Sequence, residues 1–326
     1  MVNDKKNLIF LKIINKIISY IKSFRLSFWF LASVFFLLGE WYSYQNFPFN
    51  QTIIGLISLF CIFSAGSMIN IVFDKKIDIF ARKNIARVFI YISPKEMLIV
   101  SAFLSIFSLL LLFFYENLEV FLLGLLIVII GIFYSTPPIR LKTKPPFDCL
   151  INALGGSVPF FIGWTIFSTP LIFESAIYGL IIFLFILHTF FFFTTTDIIA
   201  DKETGISTSC NLLGTKNSLV AGVIIFAIDL LLAIYFFETA YLLLICLIIY
   251  IPLIILAFIY KNNRVFLVNI VGGRGTSIFA GSILILLGVS SENIFPIFFL
   301  MMWIFLTIYD ILLLLKIKNK INLLLL

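Results

Sequence analysis

Apolar residues form long runs along nearly the whole chain, and only short polar stretches separate one run from the next. Each run is about 20 residues long, which is the length that an α-helix needs to cross the hydrocarbon core of a bilayer. The ten runs cover residues 26–46, 53–73, 97–115, 118–136, 149–168, 175–196, 217–237, 240–260, 265–289 and 294–315. The pattern predicts an all-α polytopic membrane protein with nine core spans and a tenth at the C-terminal end.

The composition supports the same conclusion. Hydrophobic residues make up 62% of the 326 residues and charged residues only 12%, with a mean hydropathy of +1.16. Soluble domains have roughly 45–50% apolar and 25% charged residues, so a soluble class is excluded. We divide the chain into an N-terminal segment (1–25), a single transmembrane domain (26–316) and a C-terminal tail (317–326). The first segment alternates Lys with Ile, Leu and Phe, which suits an amphipathic helix on an anionic leaflet.

The basic residues collect on one side of the predicted membrane. Alternate connections, beginning with the one between spans one and two, contain no Lys or Arg, and every basic residue except Arg274 lies on the opposite side. Because cytoplasmic loops collect Lys and Arg, this side and both termini are predicted to be cytoplasmic. The net charge of +7 is therefore a signal of topology. We expect the lipid bilayer as a partner and no nucleic acid.

Two clusters of polar residues stand at the cytoplasmic ends of predicted spans. Asn70, Asp74 and Asp78 follow span two at intervals of four residues, and Asp197 and Asp201 follow span six with the same spacing. Residues four apart lie on one face of a helix, so each cluster presents its carboxylates together. A constant offset of 123 residues relates the two aspartate pairs and suggests two similar halves that bracket a central site.

The chemistry of these clusters points to a metal and a phosphate. Two like charges one helical turn apart repel each other, so a cation is expected between them. Mg²⁺ prefers oxygen ligands and commonly bridges one or two carboxylates to the phosphates of a substrate. The aspartate pairs therefore predict Mg²⁺ as cofactor and a phosphorylated or diphosphorylated ligand.

Both clusters resemble the motifs of the UbiA superfamily of intramembrane prenyltransferases, which carry N-D-x-x-D-x-x-x-D after the second helix and D-x-x-x-D-x-x-x-G-x-x-T after the sixth. The matching positions are Asn70, Asp74 and Asp78 in the first motif and Asp197, Asp201, Gly205 and Thr208 in the second. The segment around the second motif is most similar to the lycopene elongase branch of the superfamily.

Two further segments carry the resemblance. The stretch from Tyr134 to Lys142 reads Y-S-T-P-P-I-R-L-K and is similar to a variant found in several branches of the superfamily. Arg25 resembles the basic residue that precedes the first helix of the family. The resemblance implies that Arg25, Tyr134, Arg140 and Lys142 bind a diphosphate, together with Asn70 and Lys202, which are part of the two clusters.

The resemblance implies a UbiA-like helical bundle with two pseudo-repeated halves. It also implies Mg²⁺-dependent transfer of an isoprenyl group from an allylic polyprenyl diphosphate, such as geranylgeranyl diphosphate, by ionisation to an allyl cation. The acceptor would be lipophilic: an aromatic or quinone precursor, a carotenoid or a lipid. In this interpretation Asp74, Asp78, Asp197 and Asp201 are catalytic and hold the metal, with Asn70 as a further ligand or as an orienter of one carboxylate.

Three other classes of membrane protein are alternatives to the prenyltransferase interpretation. A membrane transporter would place its charged groups near the middle of the spans, and here they stand at one rim. A metal-dependent phosphatidyltransferase would need a D-x-x-D-G-x-x-A-R run, which neither cluster contains. A noncatalytic homologue, or a transporter with a metal or phosphate site at the cytoplasmic rim, stays open. His188, Asp229, Arg274 and Asp310 lie within predicted spans and are left outside the site, and the cysteines lack the spacing of a zinc site or a disulfide framework.

Overall fold

The computed structural model describes residues 2–80, 84–195, 197–259, 275–291 and 293–304. Three features singled out from the sequence lie outside these ranges: Arg274, Asp310 and the C-terminal tail. The described residues form helices joined by short connections, with no β-strand among them, which confirms the predicted all-α class.

Thirteen α-helices are described. Their bounds are α1 Val2–Phe24, α2 Leu26–Tyr44, α3 Phe49–Phe73, α4 Lys75–Phe80, α5 Pro94–Phe113, α6 Leu118–Ser135, α7 Phe147–Thr165, α8 Phe173–Thr194, α9 Ile198–Glu203, α10 Ser209–Tyr235, α11 Phe237–Ile259, α12 Gly275–Ser291 and α13 Ile294–Ile304. Two short 3-10 helices, Asn84–Ile90 and Leu141–Thr143, lie in the connections.

Seven of these helices are long and apolar enough to cross a membrane, namely α2, α3, α5, α6, α7, α8 and α10. They coincide with the first seven predicted spans and confirm an integral membrane protein. Shorter apolar helices, Ala240–Pro252, Ile278–Ser290 and Ile294–Ile304, stand at the positions of spans eight, nine and ten. The total of ten spans stays a prediction, because the second half of the last span lies outside the described residues.

The outer surface of the bundle is apolar, as lipid requires. On α5 the most exposed large side chains recur every three or four residues and so form one stripe. They are Ile99, Phe103, Ile106, Leu110 and Phe113. In water such a stripe would be covered by another protein element, whereas in a bilayer it faces acyl chains at no cost.

Two glycines bring the backbones of α2 and α7 into direct contact. A Cβ atom added at Gly39 would overlap the carbonyl oxygen of Phe160, and one added at Gly163 would overlap the carbonyl oxygen of Phe36. Small residues at helix contacts allow the close approach on which helix association in membranes depends. The crossing therefore has no room for a side chain on either helix at this level.

We expect Gly163→Ala to destabilise the protein, because the new methyl group meets backbone that no side-chain movement can clear. Overpacking of this kind costs on the order of 1–3 kcal/mol, more than the roughly 0.5–1 kcal/mol that Ala gains over Gly within a helix. The measurement is the thermal unfolding temperature of the purified protein in detergent. Gly66→Ala on α3 is the matched control, since its Cβ would meet nothing within 4 Å. Equal unfolding temperatures for the two variants would contradict the close contact.

Candidate active site

The two aspartate pairs occupy equivalent local structures. At the end of α3 and again at the end of α8, the chain leaves the span and turns into a six-residue helix, α4 or α9, and the two short helices are offset by 123 residues. Asp74 and Asp197 stand just before these helices. The amide of Asp78 donates to the carbonyl of Asp74 at 2.9 Å, and the amide of Asp201 donates to that of Asp197 at 2.8 Å. Each pair thus lies one helical turn apart.

The fold brings the two pairs to the same end of the bundle, where α4 contacts α9. Asp74 and Asp78 are buried, whereas Asp197 and Asp201 are half-buried. Arg25 lies within the electrostatic reach of both pairs. Burial lowers the pKa of its guanidinium, and the carboxylates of Asp78, Asp74 and Asp197 oppose that shift. A cation therefore stands among carboxylates that belong to both halves of the chain.

Ion pairs at Asp74 join the first motif to the segment from Tyr134 to Lys142. Arg140 lies with one guanidinium nitrogen 3.1 Å from Asp74 Oδ1, and the ammonium of Lys142 donates to the same oxygen. Arg140 also donates to the carbonyl of Phe73 at 3.4 Å. Burial lowers the pKa of Lys142, while the charge of Asp74 opposes the shift. The segment between α6 and α7 is in this way fastened to the end of α3.

Asn70 connects Arg25 to α6. Its amide oxygen accepts a hydrogen bond from Arg25 at 3.4 Å, and its amide nitrogen donates to the hydroxyl of Ser135 at 3.3 Å. Tyr134, the residue before Ser135, is half-buried in the last turn of the same helix. The amide of Asn70 thus bridges Arg25 and Ser135 in this structure, and its roles as a metal ligand or as an orienter of one carboxylate stay predictions.

Within the second motif, Thr208 is hydrogen-bonded to Asp201. The hydroxyl of this residue donates to Asp201 Oδ2 at 3.2 Å and accepts from the amide of Asn211 at 3.2 Å, so it also caps α10. Gly205 has a φ of +70°, a conformation that L side chains rarely adopt and that lets the chain reverse between α9 and α10. Lys202 stands apart from this network, with its side chain exposed on α9.

Asp148 belongs to the site's supporting structure, and the sequence interpretation missed it. This buried residue in the first turn of α7 accepts from the backbone amide of Ser209 at 2.6 Å and from the hydroxyl of Ser209 at 2.5 Å. Ser209 directly follows Thr208, so Asp148 supports the segment that holds Asp201. The only signal in the sequence was the position of Asp148, one residue before a predicted span. Acidic residues are common in the polar connections between spans, so this position did not set it apart.

The donor set fits a hard cation together with an anionic ligand. No three His, Cys, Asp or Glu side chains among the described residues lie close enough to hold one metal ion by themselves. Mg²⁺ commonly takes only one or two carboxylates from the protein and the remaining oxygens from phosphate and water. In addition, Nε of Arg140 is buried and has no hydrogen-bond acceptor in the described part of the chain. An anion at this place would satisfy that donor.

The family model of the UbiA prenyltransferase family matches residues 30–269. The chain belongs to this family. The match covers both aspartate pairs and the basic segment between α6 and α7, and it confirms the resemblance deduced from the motifs. No curated protein sequence matches this UbiA family member.

Solved structures share the fold of this UbiA protein at low sequence identity. A UbiA homologue from Archaeoglobus fulgidus bound to GPP and Mg²⁺ is 21% identical, with a TM-score of 0.64 over 83% of this chain and 99% of that one. A UbiA homologue from Aeropyrum pernix K1 is 19% identical, with a TM-score of 0.65 over 80% of this chain and 98% of that one. A digeranylgeranylglyceryl phosphate synthase is 19% identical, with a TM-score of 0.63 over 85% and 98%.

We expect Asp148→Asn to lower the free energy of unfolding by about 1.5–3 kcal/mol, because an amide nitrogen cannot accept the bonds that a carboxylate accepts. Ser209→Ala should cost less, since it keeps the backbone bond. The double variant should be less damaging than the sum of the two, which thermal unfolding in detergent would show. The exposed Glu119→Gln is the control for loss of a carboxylate. A fully additive double variant would contradict the proposed support.

Proposed function

We propose that the protein is a Mg²⁺-dependent prenyltransferase that moves an isoprenyl group from an allylic polyprenyl diphosphate to a lipophilic acceptor. The observation that carries the proposal is the meeting of two acidic pairs with Arg25, Arg140 and Lys142 at one end of a membrane-embedded bundle. The named relatives support it, since two structures of a UbiA homologue from Archaeoglobus fulgidus contain GPP and Mg²⁺ or DMAPP and Mg²⁺.

The basic residues supply the grip on the diphosphate. Lys142 and Arg140 are mostly withdrawn from solvent, with side-chain exposures of 12% and 25%. Charged groups interact more strongly where water is scarce, and guanidinium and ammonium groups form charge-assisted bonds to phosphate oxygens. In this structure both cations pair with Asp74. A diphosphate would share them, and Nε of Arg140 would gain an acceptor.

The carboxylates supply the place for the metal. Asp74 and Asp78 from one half, and Asp197 and Asp201 from the other, would hold Mg²⁺ through their oxygens, with phosphate oxygens completing the coordination. When bound, Mg²⁺ supplies positive charge that lowers the energy of the departing diphosphate. Asn70 is occupied by Arg25 and Ser135. Through these bonds Asn70 would position Arg25, beside its proposed role as a further oxygen ligand or as an orienter of one carboxylate.

The transfer begins with cleavage of the allylic C–O bond. The bonding electron pair stays on the diphosphate, and the charge on its oxygens is stabilised by Lys142, Arg140 and Arg25. The allyl cation that forms is attacked by the π electrons of an aromatic or carotenoid acceptor, or by the hydroxyl oxygen of a lipid, and the acceptor then loses a proton. A water-poor surrounding protects the cation from hydration. The apolar interior next to the site, formed by the spans themselves, would exclude water.

The acceptor and the orientation belong to the proposal as well. The likeness to the lycopene elongase branch favours a carotenoid or another long apolar acceptor that enters from the bilayer, and the basic residues beside the site favour the cytoplasmic side. A transporter is a weaker account, because the described carboxylates of both motifs stand at the ends of spans.

We expect Asp74→Ala and Asp197→Ala each to abolish Mg²⁺-dependent release of diphosphate from geranylgeranyl diphosphate. Loss of one group that stabilises developing charge typically costs about a hundredfold or more in rate. The assay uses purified protein in detergent with a panel of carotenoid, quinone-precursor and lipid acceptors. Glu203→Gln is the matched control, because it neutralises an exposed carboxylate on the same short helix that carries Asp201.

Two results would contradict the proposal. Diphosphate release that persists in either alanine variant would show that the substituted aspartate is not required for the reaction. Failure of the wild-type protein to bind or turn over any prenyl diphosphate, with Mg²⁺ present, would favour a noncatalytic homologue or a transporter.

We expect Lys142→Met to weaken binding of geranylgeranyl diphosphate about tenfold or more, because a charge-assisted bond to a phosphate is worth roughly 1.5–3 kcal/mol. The dissociation constant can be measured by calorimetry in detergent. Lys144→Met removes an exposed ammonium two residues away and serves as the control. Equal dissociation constants for both variants would remove Lys142 from the diphosphate site.

A further inference from the structure

The first helix, α1, exposes its apolar face and packs its polar face against the protein. Six large apolar side chains on this helix are between 41% and 63% exposed: Phe10, Leu11, Ile13, Ile17, Ile18 and Ile21. Their spacing places them on one side of a 3.6-residue helix, and we call this side the apolar stripe of α1. A surface helix of a soluble protein has the opposite arrangement.

The inner face of α1 is held by polar contacts. Ser19 and Ser23 are buried, and the carbonyl of Ser23 accepts from the hydroxyl of Ser67 on α3 at 2.9 Å. Glu96 on α5 accepts from the hydroxyl of Tyr20 at 2.6 Å and pairs with Lys16 at 2.6 Å. These contacts fix which side of the helix faces outward. The exposure of the stripe is therefore a property of the docked helix.

The spans also expose apolar side chains close in sequence to α1 and to its contacts. Phe28 on α2, only a few residues beyond α1, is 45% exposed, and Leu98 and Ile99 on α5, close to the Glu96 contact, are exposed as well. A stripe of this size is a surface that another phase or molecule covers. Since the neighbouring exposed surface belongs to bilayer-spanning helices, the leaflet beside the site is the occupant that the arrangement favours.

Charge identifies the kind of lipid. The first 25 residues contain six basic residues and a single acidic one. Lys12 and Lys22 are exposed, and both lie outside the apolar stripe: Lys22 at its edge and Lys12 on the opposite side of the helix. An interfacial helix with this pattern binds through its apolar side chains, and its basic residues add attraction to anionic headgroups.

The same helix leads directly into the site. Arg25, the residue between α1 and α2, has φ 47° and ψ 62°, so the chain turns sharply at the residue whose guanidinium contacts Asn70. The position of this guanidinium therefore depends on how α1 is seated. A shift of α1 would therefore move the guanidinium of Arg25, which lies near the aspartates.

We propose that α1 binds the anionic surface of the adjoining leaflet, with its apolar stripe among the acyl chains, and that this seating tightens binding of the diphosphate through Arg25. The first part of the proposal concerns only the helix and the lipid. The second part rests on the proposed function.

Depth of the helix in the bilayer tests the first part. A spin label at Ile17→Cys, in vesicles of phosphatidylcholine and phosphatidylglycerol, should be accessible to oxygen and shielded from a water-soluble nickel chelate. A label at Lys12→Cys, off the stripe, should show the reverse preference. The native cysteines are buried, and the chain without an introduced cysteine gives the labelling background. Nickel access at position 17, or dipolar broadening between labelled copies, would overturn the proposal in favour of a water-exposed or dimeric face.

Diphosphate affinity tests the second part. The dissociation constant of geranylgeranyl diphosphate with Mg²⁺ should be about fivefold lower in vesicles with 30% phosphatidylglycerol than in pure phosphatidylcholine, a modest coupling between two sites. The combined variant Lys12→Gln and Lys22→Gln should bind equally in both lipids. Equal affinity of the wild-type protein in both lipids would overturn this coupling while leaving the prenyltransferase intact. Absence of binding in every lipid would instead overturn the proposed function, and the depth measurement would still decide the lipid contact.

Discussion

The carboxylate of Asp74 holds the site together, because one buried acidic group receives two cations from a segment more than 60 residues away. A buried charge is costly unless it is paired, so Asp74, Arg140 and Lys142 stabilise one another where each alone would be unfavourable. The connection between α6 and α7 consequently lies against the end of α3. The remaining parts of the site, Asn70 with Arg25 and α4 with α9, are arranged around that junction.

Much of this architecture could be predicted from the sequence, because lipid allows few structures. Apolar runs of about 20 residues predicted six of the seven long spans to within four residues at each end, whereas α10 begins at Ser209, eight residues before its predicted span. The spacing of Asp74 with Asp78 and of Asp197 with Asp201 predicted that each pair shares a helical face, and the two short helices α4 and α9 provide it. Helical periodicity is a local property, so it can be deduced from neighbouring residues alone.

Contacts between distant segments could not be deduced in the same way. Neither the bond from Arg25 to Asn70 nor the support of Ser209 by Asp148 follows from spacing, since each depends on how separate helices cross. The orientation of α1 could not be deduced either, because an amphipathic sequence does not tell which face of the helix packs against the protein. His188, the only histidine in the sequence, lies buried among the rings of Phe185, Phe226 and Tyr250, and its sequence neighbours do not predict these contacts either.

The contact of α2 with α7 at Gly39 and Gly163 also bears on how the site can move. Arg25 precedes α2, and Asp148 stands in the first turn of α7. Two helices whose backbones touch cannot slide past each other without a clash, so these two ends keep a fixed separation. Arg140 and Lys142 stand instead on the connection between α6 and α7, which is held to the end of α3 by their ion pairs with Asp74. A ligand that shares these two cations would loosen that attachment, so we expect adjustment to ligands of different size in this connection and not in α2 or α7.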